Sequence, residues 1–439
     1  MTKSWPFHTT VIQAGLVSGP NENPNVAQIS ADGVVAMLDK QHLAIRAAFA
    51  NCAITLPDGR VWNSTTRPGD DSVRENPARV QIVMKVDVSN TTGVGVGTTG
   101  WARLMDCDHN GNTDTAGNAA GVSSLSQHGD TNGDMIVSYK GCATFDPTAP
   151  AFDGYGRPTA PGAGVDCTHN LQKLAAADGA ALWTKAVPHT LHSCRAITDG
   201  SFFCGWTMAA SDGTLDFGNG VTVAGVDNTA GIIKYDGAGV AQWAKPTATT
   251  SFALLEVSHD GTLLAYYGSP PRSSGMSGSQ VSRIDTSAGN EGNILWTDTD
   301  SGVGTHGFRD IAVTHDGREV LAYGQISGGE GDVMTDATGS SMTLRSRGVS
   351  DIFVACFDAA NGAGKWALDG GGSDTEYFLG GIVADPSTND IYVAGYTRCD
   401  SNSCIPTSPC IAALNPPPPP PQNKPNEPLA GPNFCTGAM

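Results

Sequence analysis

Charge is scarce in this sequence: only 15% of its 439 residues are Asp, Glu, Lys or Arg, and aromatic residues make up 7%. Basic residues are the scarcer sign, 25 Lys and Arg against 43 Asp and Glu, giving a formal net charge of -18. A surface of that sign repels phosphate backbones and anionic lipid, so neither nucleic acid nor a bare membrane surface is expected as a partner. Apolar runs are too short to cross a bilayer, and no membrane span is expected. Catalytic signatures are missing too: there is no His-Glu-x-x-His, no Gly-x-Ser-x-Gly and no Walker loop. The opening MTKSWPFHTT lacks the apolar core of a signal peptide, which reads as a leader already removed or as a fragment.

Glycine, by contrast, is plentiful at 55 residues, as expected of many short strands joined by tight turns. A Trp-bearing strand recurs six times, at Trp5, Trp101, Trp183, Trp243, Trp296 and Trp366. Each is followed by an apolar hairpin closed on a turn rich in Gly, Asp and Asn, as in VSHDGTLLAYYG and VTHDGREVLAYG. One small sheet per repeat predicts a radial array, an all-β propeller of four-stranded antiparallel blades, in place of one large core. A large ring at a fixed place in each blade fills the gap to the next, and its N–H can satisfy a buried carbonyl, so the six Trp are read as structural. Asp-Gly is a favoured hairpin turn, which accounts for His259-Asp260-Gly261 and His315-Asp316-Gly317 without metal or catalysis.

The best repeat runs from 350 to 397, with strands at Asp351 to Phe357, around Trp366, at Gly381 to Ala384 and at Ile391 to Tyr396; these four are read as one blade. The segment AASDGTLDFGNGVTVAG (209 to 225) reads as a surface hairpin between blades. The loops at 54 to 78 and 143 to 170 are the longest of the first two units, and long loops on a rigid scaffold are where specificity sits.

Within 350 to 397 and 209 to 244 the residues DIFVACFDAANGAGKW, GGIVADPSTNDIYVAGYT and GTLDFGNGVTVAG resemble the SBBP-type β-propeller repeat, closely from 180 to 414 and loosely before. The resemblance implies a propeller of secreted or cell-surface proteins, an accessory or scaffold module. The blades are also distantly similar to those of quinoprotein dehydrogenases, but the adjacent Cys pair carried by those enzymes is missing.

The chain begins on an isolated Trp strand, Lys3 to Val11, and its last strand-like segment is PCIAALN, 409 to 415. Each end lacks the strand the other carries. We therefore expect six blades over residues 1 to 415, the closing blade shared by N- and C-terminal strands within one chain or between neighbours. Residues 416 to 439 form a separate Pro-rich segment: Pro416, Pro417, Pro418, Pro419, Pro420 and Pro421 cannot join a ladder and predict a polyproline II stalk. By analogy with the hydroxyproline-rich walls of algae and plants, these six prolines are candidate glycosylation sites, as are the sequons at Asn63 and Asn90.

Eleven Cys suit an oxidising compartment, and the candidate bridges are Cys194 with Cys204, Cys399 with Cys404, and Cys142 with Cys167, leaving an odd thiol such as Cys435. The sharpest metal candidate is DCDHNGNTD, where Asp106, Asp108, Asn110, Asn112 and Asp114 alternate as Ca2+ ligands do, with Gly111 sixth and no Glu at the twelfth place. Beyond such a Ca2+ no cofactor is expected. His189 and His192 are suitably spaced for a metal but have no third ligand in sequence, and Glu256, Asp310 and Glu376 are the carboxylates that a central channel would gather. The expected function is a non-catalytic structural, assembly or adhesion module outside the cell, secreted or at its surface, partnered by other extracellular proteins or copies of itself. A glycan- or ligand-binding propeller and a hydrolase or quinoprotein-like oxidoreductase are the alternatives.

Overall fold

The computed structural model describes residues 35–37, 42–49, 53–55, 61–63, 80–87, 98–104, 121–125, 132–141, 168–208, 213–225, 229–247, 249–258, 260–269, 279–299, 307–314, 316–326, 332–344, 351–370, 381–384, 391–396 and 409–414. Every regular element among them is a strand, and the strands pair antiparallel.

The first sheet joins β1 (Val35–Met37), β2 (His42–Phe49), β5 (Val80–Asp87) and β6 (Thr98–Leu104), with a side hairpin of β3 (Ala53–Thr55) and β4 (Val61–Asn63). The second runs in chain order through β7 (Gly121–Leu125), β8 (Met135–Gly141), β9 (Thr168–Leu174) and β10 (Ala181–Val187). The third holds β11 (Leu191–Ala196), β12 (Phe202–Met208), β15 (Thr229–Tyr235) and β16 (Ala241–Pro246), with β13 (Leu215–Asp216) and β14 (Thr222–Val223) as a hairpin inside the segment expected to form one. The fourth holds β17 (Ser251–Val257), β18 (Leu264–Ser269), β19 (Gln280–Ile284) and β20 (Ile294–Thr299). The fifth holds β21 (Gly307–Val313), β22 (Glu319–Ile326), β25 (Asp351–Asp358) and β26 (Gly364–Gly370), with a hairpin of β23 (Asp332–Thr335) and β24 (Ser341–Leu344). The sixth has three described strands, β27 (Gly381–Ala384), β28 (Ile391–Tyr396) and β29 (Pro409–Leu414).

Each principal sheet is an up-and-down meander. In β12 and β25 nearly every residue is buried, including Phe202, Phe203, Phe353 and Phe357. Such strands read as continuous apolar runs and not as alternating ones, because both faces meet a neighbouring sheet. Among the Trp strands, fourth in their sheets, β10 alternates, half-buried and exposed by turns.

One sequence expectation is corrected here. The four strands between 350 and 397 are not one blade: β25 and β26 complete the fifth sheet, whereas β27 and β28 begin the sixth. The sequence repeat is out of phase with the sheets, since the chain leaves each Trp strand for the first strand of the next sheet and the two do not pair.

By its contacts the chain divides into two compact units. One holds the described residues up to Phe203 together with Asp216–Gly220 and Tyr235–Val240; the other holds Cys204–Leu215, Val221–Lys234 and the chain from Ala241 onward. In the first unit, Val83, Trp101, Met135, Val137, Tyr139 and Leu174 form a core between the first two sheets. In the second, Trp296 packs with Phe308, Val320, Phe353 and Phe357 between the fourth and fifth sheets. No helix among the described residues is long and apolar enough to cross a membrane.

Candidate functional site

Three of the six Trp residues make the same contact. Trp101 Nε1 donates to the Ala176 carbonyl at 3.1 Å, Trp183 Nε1 to Gly237 at 3.2 Å and Trp296 Nε1 to Ala359 at 2.9 Å. In each case the acceptor lies in the turn between the third and fourth strands of the next sheet. That turn also carries a glycine held at positive φ, Gly179 (70°), Gly239 (70°) or Gly362 (73°), four residues before its own Trp. A Cβ at Gly179 would stand 2.6 Å from Trp101 Cδ2, and one at Gly362 would stand 2.8 Å from Trp296 Cδ2. Only glycine lets the indole lie flat on the turn backbone and also tolerates the left-handed conformation. The indoles therefore clasp neighbouring sheets and are not displayed for a ligand.

Two of these carbonyls receive a second donor. Lys85, the cross-strand partner of Trp101, reaches Ala176 at 3.0 Å, and Arg283, the partner of Trp296, reaches Ala359. At the fourth sheet the equivalent Gly292 meets the Lys245 side chain instead of an indole.

The turn aspartates are likewise bound into the fold. Asp199 accepts from Ser201 N at 2.8 Å, and Asp236 from Ala238 N and Val240 N at 3.0 and 2.8 Å. Asp260 accepts from the Ser258 hydroxyl at 2.7 Å and from Thr262 N at 3.0 Å; Asp316 does the same with Thr314 and Arg318 N at 2.8 and 3.1 Å. These are Asx turns, in which the carboxylate mimics a backbone carbonyl. Partial burial works to raise the Asp260 pKa, but the hydrogen bonds from Ser258 and Thr262 outweigh it and hold the carboxyl below its usual range. Asp336 is pulled down the same way, against burial, by Thr338, Gly364 N and Ser340 N.

Of the three carboxylates named as channel candidates, Glu256 is buried on β17, and Glu376 lies outside the described residues. Asp310 on β21 spans two sheets: its Oδ1 accepts from Ile311 N at 2.9 Å and its Oδ2 from Ile382 N on β27 at 2.8 Å. Burial, and next the Asp310 charge, push the Tyr267 phenol up to about 12 and raise Tyr323 beyond the ordinary phenol range. Asp310 thus locks the first strands of the fifth and sixth sheets together.

The structure also joins three histidines of which the spacing showed only two. His169, on β9, stacks on His189 with ring centroids 5.6 Å apart and an interplanar angle of 8°. Its Nδ1 lies 2.9 Å from the Thr190 hydroxyl. His192 is held below the ordinary imidazole value by burial and then by His189. Ser193 beside it has φ 49°, a left-handed conformation uncommon for a residue with a side chain. Cys194 follows, and both Cys194 and Cys204 are disulfide-bonded. No group of three His, Cys, Asp or Glu side chains able to hold a metal ion occurs among the described residues. His169 was missed because β9 follows a long loop, and only sheet register brings it beside the β10–β11 connection.

Cys356 is a free, buried thiol, raised by burial and then by Glu319. Asn63 ends β4 and Trp5 lies outside the described residues, as do Asn90, the Ca2+ candidates Asp106, Asp108, Asn110, Asn112 and Asp114, the cysteines Cys142, Cys167, Cys399, Cys404 and Cys435, and Pro416 to Pro421. The loops 54 to 78 and 143 to 170 fall outside them too, apart from Ile54 and Thr55 of β3, the strand β4, and Thr168, His169 and Asn170 of β9.

No family model matches the chain, and no curated protein does. Among solved structures it is similar to the β-propeller domain of Cps50 (Swd1) from Myceliophteria thermophila, with 9% identity, a TM-score of 0.40, and coverage of 84% of this chain and 96% of that one. It is similar to the Dos1 propeller with 12% identity, a TM-score of 0.40, and coverage of 84% and 80%. A third is BamB from Moraxella catarrhalis, with 12% identity, a TM-score of 0.34, and coverage of 87% and 86%. The architecture rests on the strand order and the indole clasps described above.

Proposed function

We propose that this chain is a six-bladed β-propeller whose sixth blade is completed by the strand around Trp5, and that it serves as a non-catalytic structural module assembling with copies of itself outside the cell. The observation that carries the reading is the sixth sheet. Five principal sheets end on a Trp strand, and the sixth ends on β29, its edge strand among the described residues. Such an edge accepts an incoming strand through main-chain hydrogen bonds alone. The one Trp of the six without a described sheet is Trp5. A strand donated head to tail between identical molecules builds an open chain of subunits, the geometry of filaments and matrices.

The committed polar groups support a non-catalytic role. The turn aspartates bond to their own turns, the clasp indoles bond to neighbouring carbonyls, and Asp310 bonds to backbone. The test is the mass in solution of the full chain and of a chain lacking residues 1 to 12, over a wide range of concentration. Multimers that the deletion reduces to monomers support assembly by strand donation. A full chain monomeric at every concentration contradicts it.

A further inference from the structure

On the first and second strands of the fourth, fifth and sixth sheets (β17, β18, β21, β22, β27 and β28), Arg309 is the only Lys, Arg or His. It is also the extra residue of a β-bulge. Phe308 pairs with Gly324 and Asp310 with Tyr323, which leaves Arg309 between them without a cross-strand partner. The first strands β7 and β17 skip a residue at the same third place, Ser123 and Ala253. A bulge re-aims the side chain it carries, and of these three only Arg309 is charged.

The re-aimed side chain is exposed, and its hydrogen bond to Gln325 Oε1 is long, at 3.4 Å. Arg309 forms no ion pair among the described residues, although a carboxylate is next to it in sequence. The Asp310 oxygens accept instead from Ile311 N and Ile382 N, at 2.9 and 2.8 Å. Most of the guanidinium's N–H donors therefore face no acceptor of the chain among the described residues.

A second donor stands close by. Tyr267 on β18 is half-buried against the cluster that holds Phe308 and Ile311 of β21, and its phenol makes no hydrogen bond among the described residues. Burial, and next the Asp310 charge, hold this phenol at about 12 against the opposing pull of Arg309. It is thus an O–H donor at any ordinary pH, and the guanidinium lies within electrostatic reach of it.

Two such donors call for a ligand with acceptor oxygens. The planar fork of a guanidinium matches a carboxylate with two parallel hydrogen bonds, and a neutral hydroxyl leaves its charge unanswered. A dianion suits the place poorly, because one cation faces it while Asp310 and a net charge of -18 oppose it.

We propose that Arg309 and Tyr267 form a binding site for a small organic acid carrying a single carboxylate, Arg309 gripping both oxygens and Tyr267 donating to one of them. The site draws on the fourth and fifth sheets alone and not on the docking of the Trp5 strand, so either can fail without the other.

The test titrates the full chain, labelled with 15N-Arg and 13C-Tyr, with sodium acetate and with sodium glucuronate at fixed ionic strength. Glucose and inorganic phosphate serve as comparisons. Saturable shifts at Arg309 Nε and the Tyr267 ring are expected with both carboxylates, weaker ones with phosphate and none with glucose. Arg309→Gln is expected to weaken acetate binding, read at the Tyr267 ring, by about tenfold or more, and Tyr267→Phe, read at Arg309, by about threefold to tenfold. Arg309 is exposed, so its replacement is expected to leave the urea midpoint unchanged; if Tyr267→Phe lowers that midpoint, Arg309→Gln alone decides. Carboxylate shifts that never saturate, or binding that survives Arg309→Gln, would overturn the site. Phosphate or glucose binding as tightly as acetate would overturn its assignment to a monocarboxylate.

Discussion

The indole of Trp296 donates a 2.9 Å hydrogen bond to the Ala359 carbonyl of the next sheet and lies flat on Gly362 of the same turn. Donor, acceptor and glycine meet in one contact between two sheets. Trp296→Phe keeps most of the packing and removes the donor; Arg283 still satisfies the carbonyl, so a loss of about 1 kcal/mol is expected. Trp296→Ala removes the ring as well and is expected to cost about 3–5 kcal/mol. Urea unfolding of both variants checks the ordering, and equal costs would contradict it.

Gly362→Ala places a methyl group against Trp296 and Ala337 at a positive φ. Gly339→Ala has a positive φ of 85° but open space around it. The first is expected to lose several kcal/mol and the second about 1 kcal/mol. Comparing their urea midpoints separates the clasp from the cost of the turn conformation.

Asp310 joins β21 to β27 through Ile382 N. Asp310→Ala leaves that N–H without its acceptor, an expected loss of about 1–3 kcal/mol. Asp310→Asn removes the negative charge that helps raise Tyr267, so the phenol is expected to titrate below its present value of about 12. Ultraviolet titration of the tyrosines reads this directly, and an unmoved Tyr267 would exclude the contact.

His192 has a lowered pKa in the folded protein. The unfolded chain therefore binds its proton first as pH falls. The stability His192 contributes is complete above its unfolded value near 6.5 and declines as pH drops below it. Urea midpoints at neutral and mildly acid pH are expected to differ more for the native chain than for His192→Asn. Equal slopes for the two proteins would show that the histidine cluster does not govern this range.

The turns and the Trp positions were legible in the sequence because both are local. Asp-Gly turns and a Trp repeating beside them need no knowledge of what packs where. A stronger local signal went unused: Gly97, Gly179, Gly239, Gly292 and Gly362 each stand four residues before a Trp, and at Gly179, Gly239 and Gly362 that spacing marks the clasp. The phase of the sheets was not legible, since β26 and β27 are neighbours in sequence that do not pair. His169, and the backbone contact of Asp310, escaped for the same reason. Their partners, His189 and Ile382, are brought to them by sheet register and sheet-to-sheet packing, which residue spacing does not encode.

The central claim is the proposal that the strand around Trp5 completes the sheet that ends, among the described residues, on β29, and amide hydrogen exchange across Lys3 to Val11 tests it most directly. The account predicts slow exchange at alternate amides of this segment, matched by slow exchange along Pro409–Leu414. Exchange throughout Lys3 to Val11 at the rate of a free chain would contradict it.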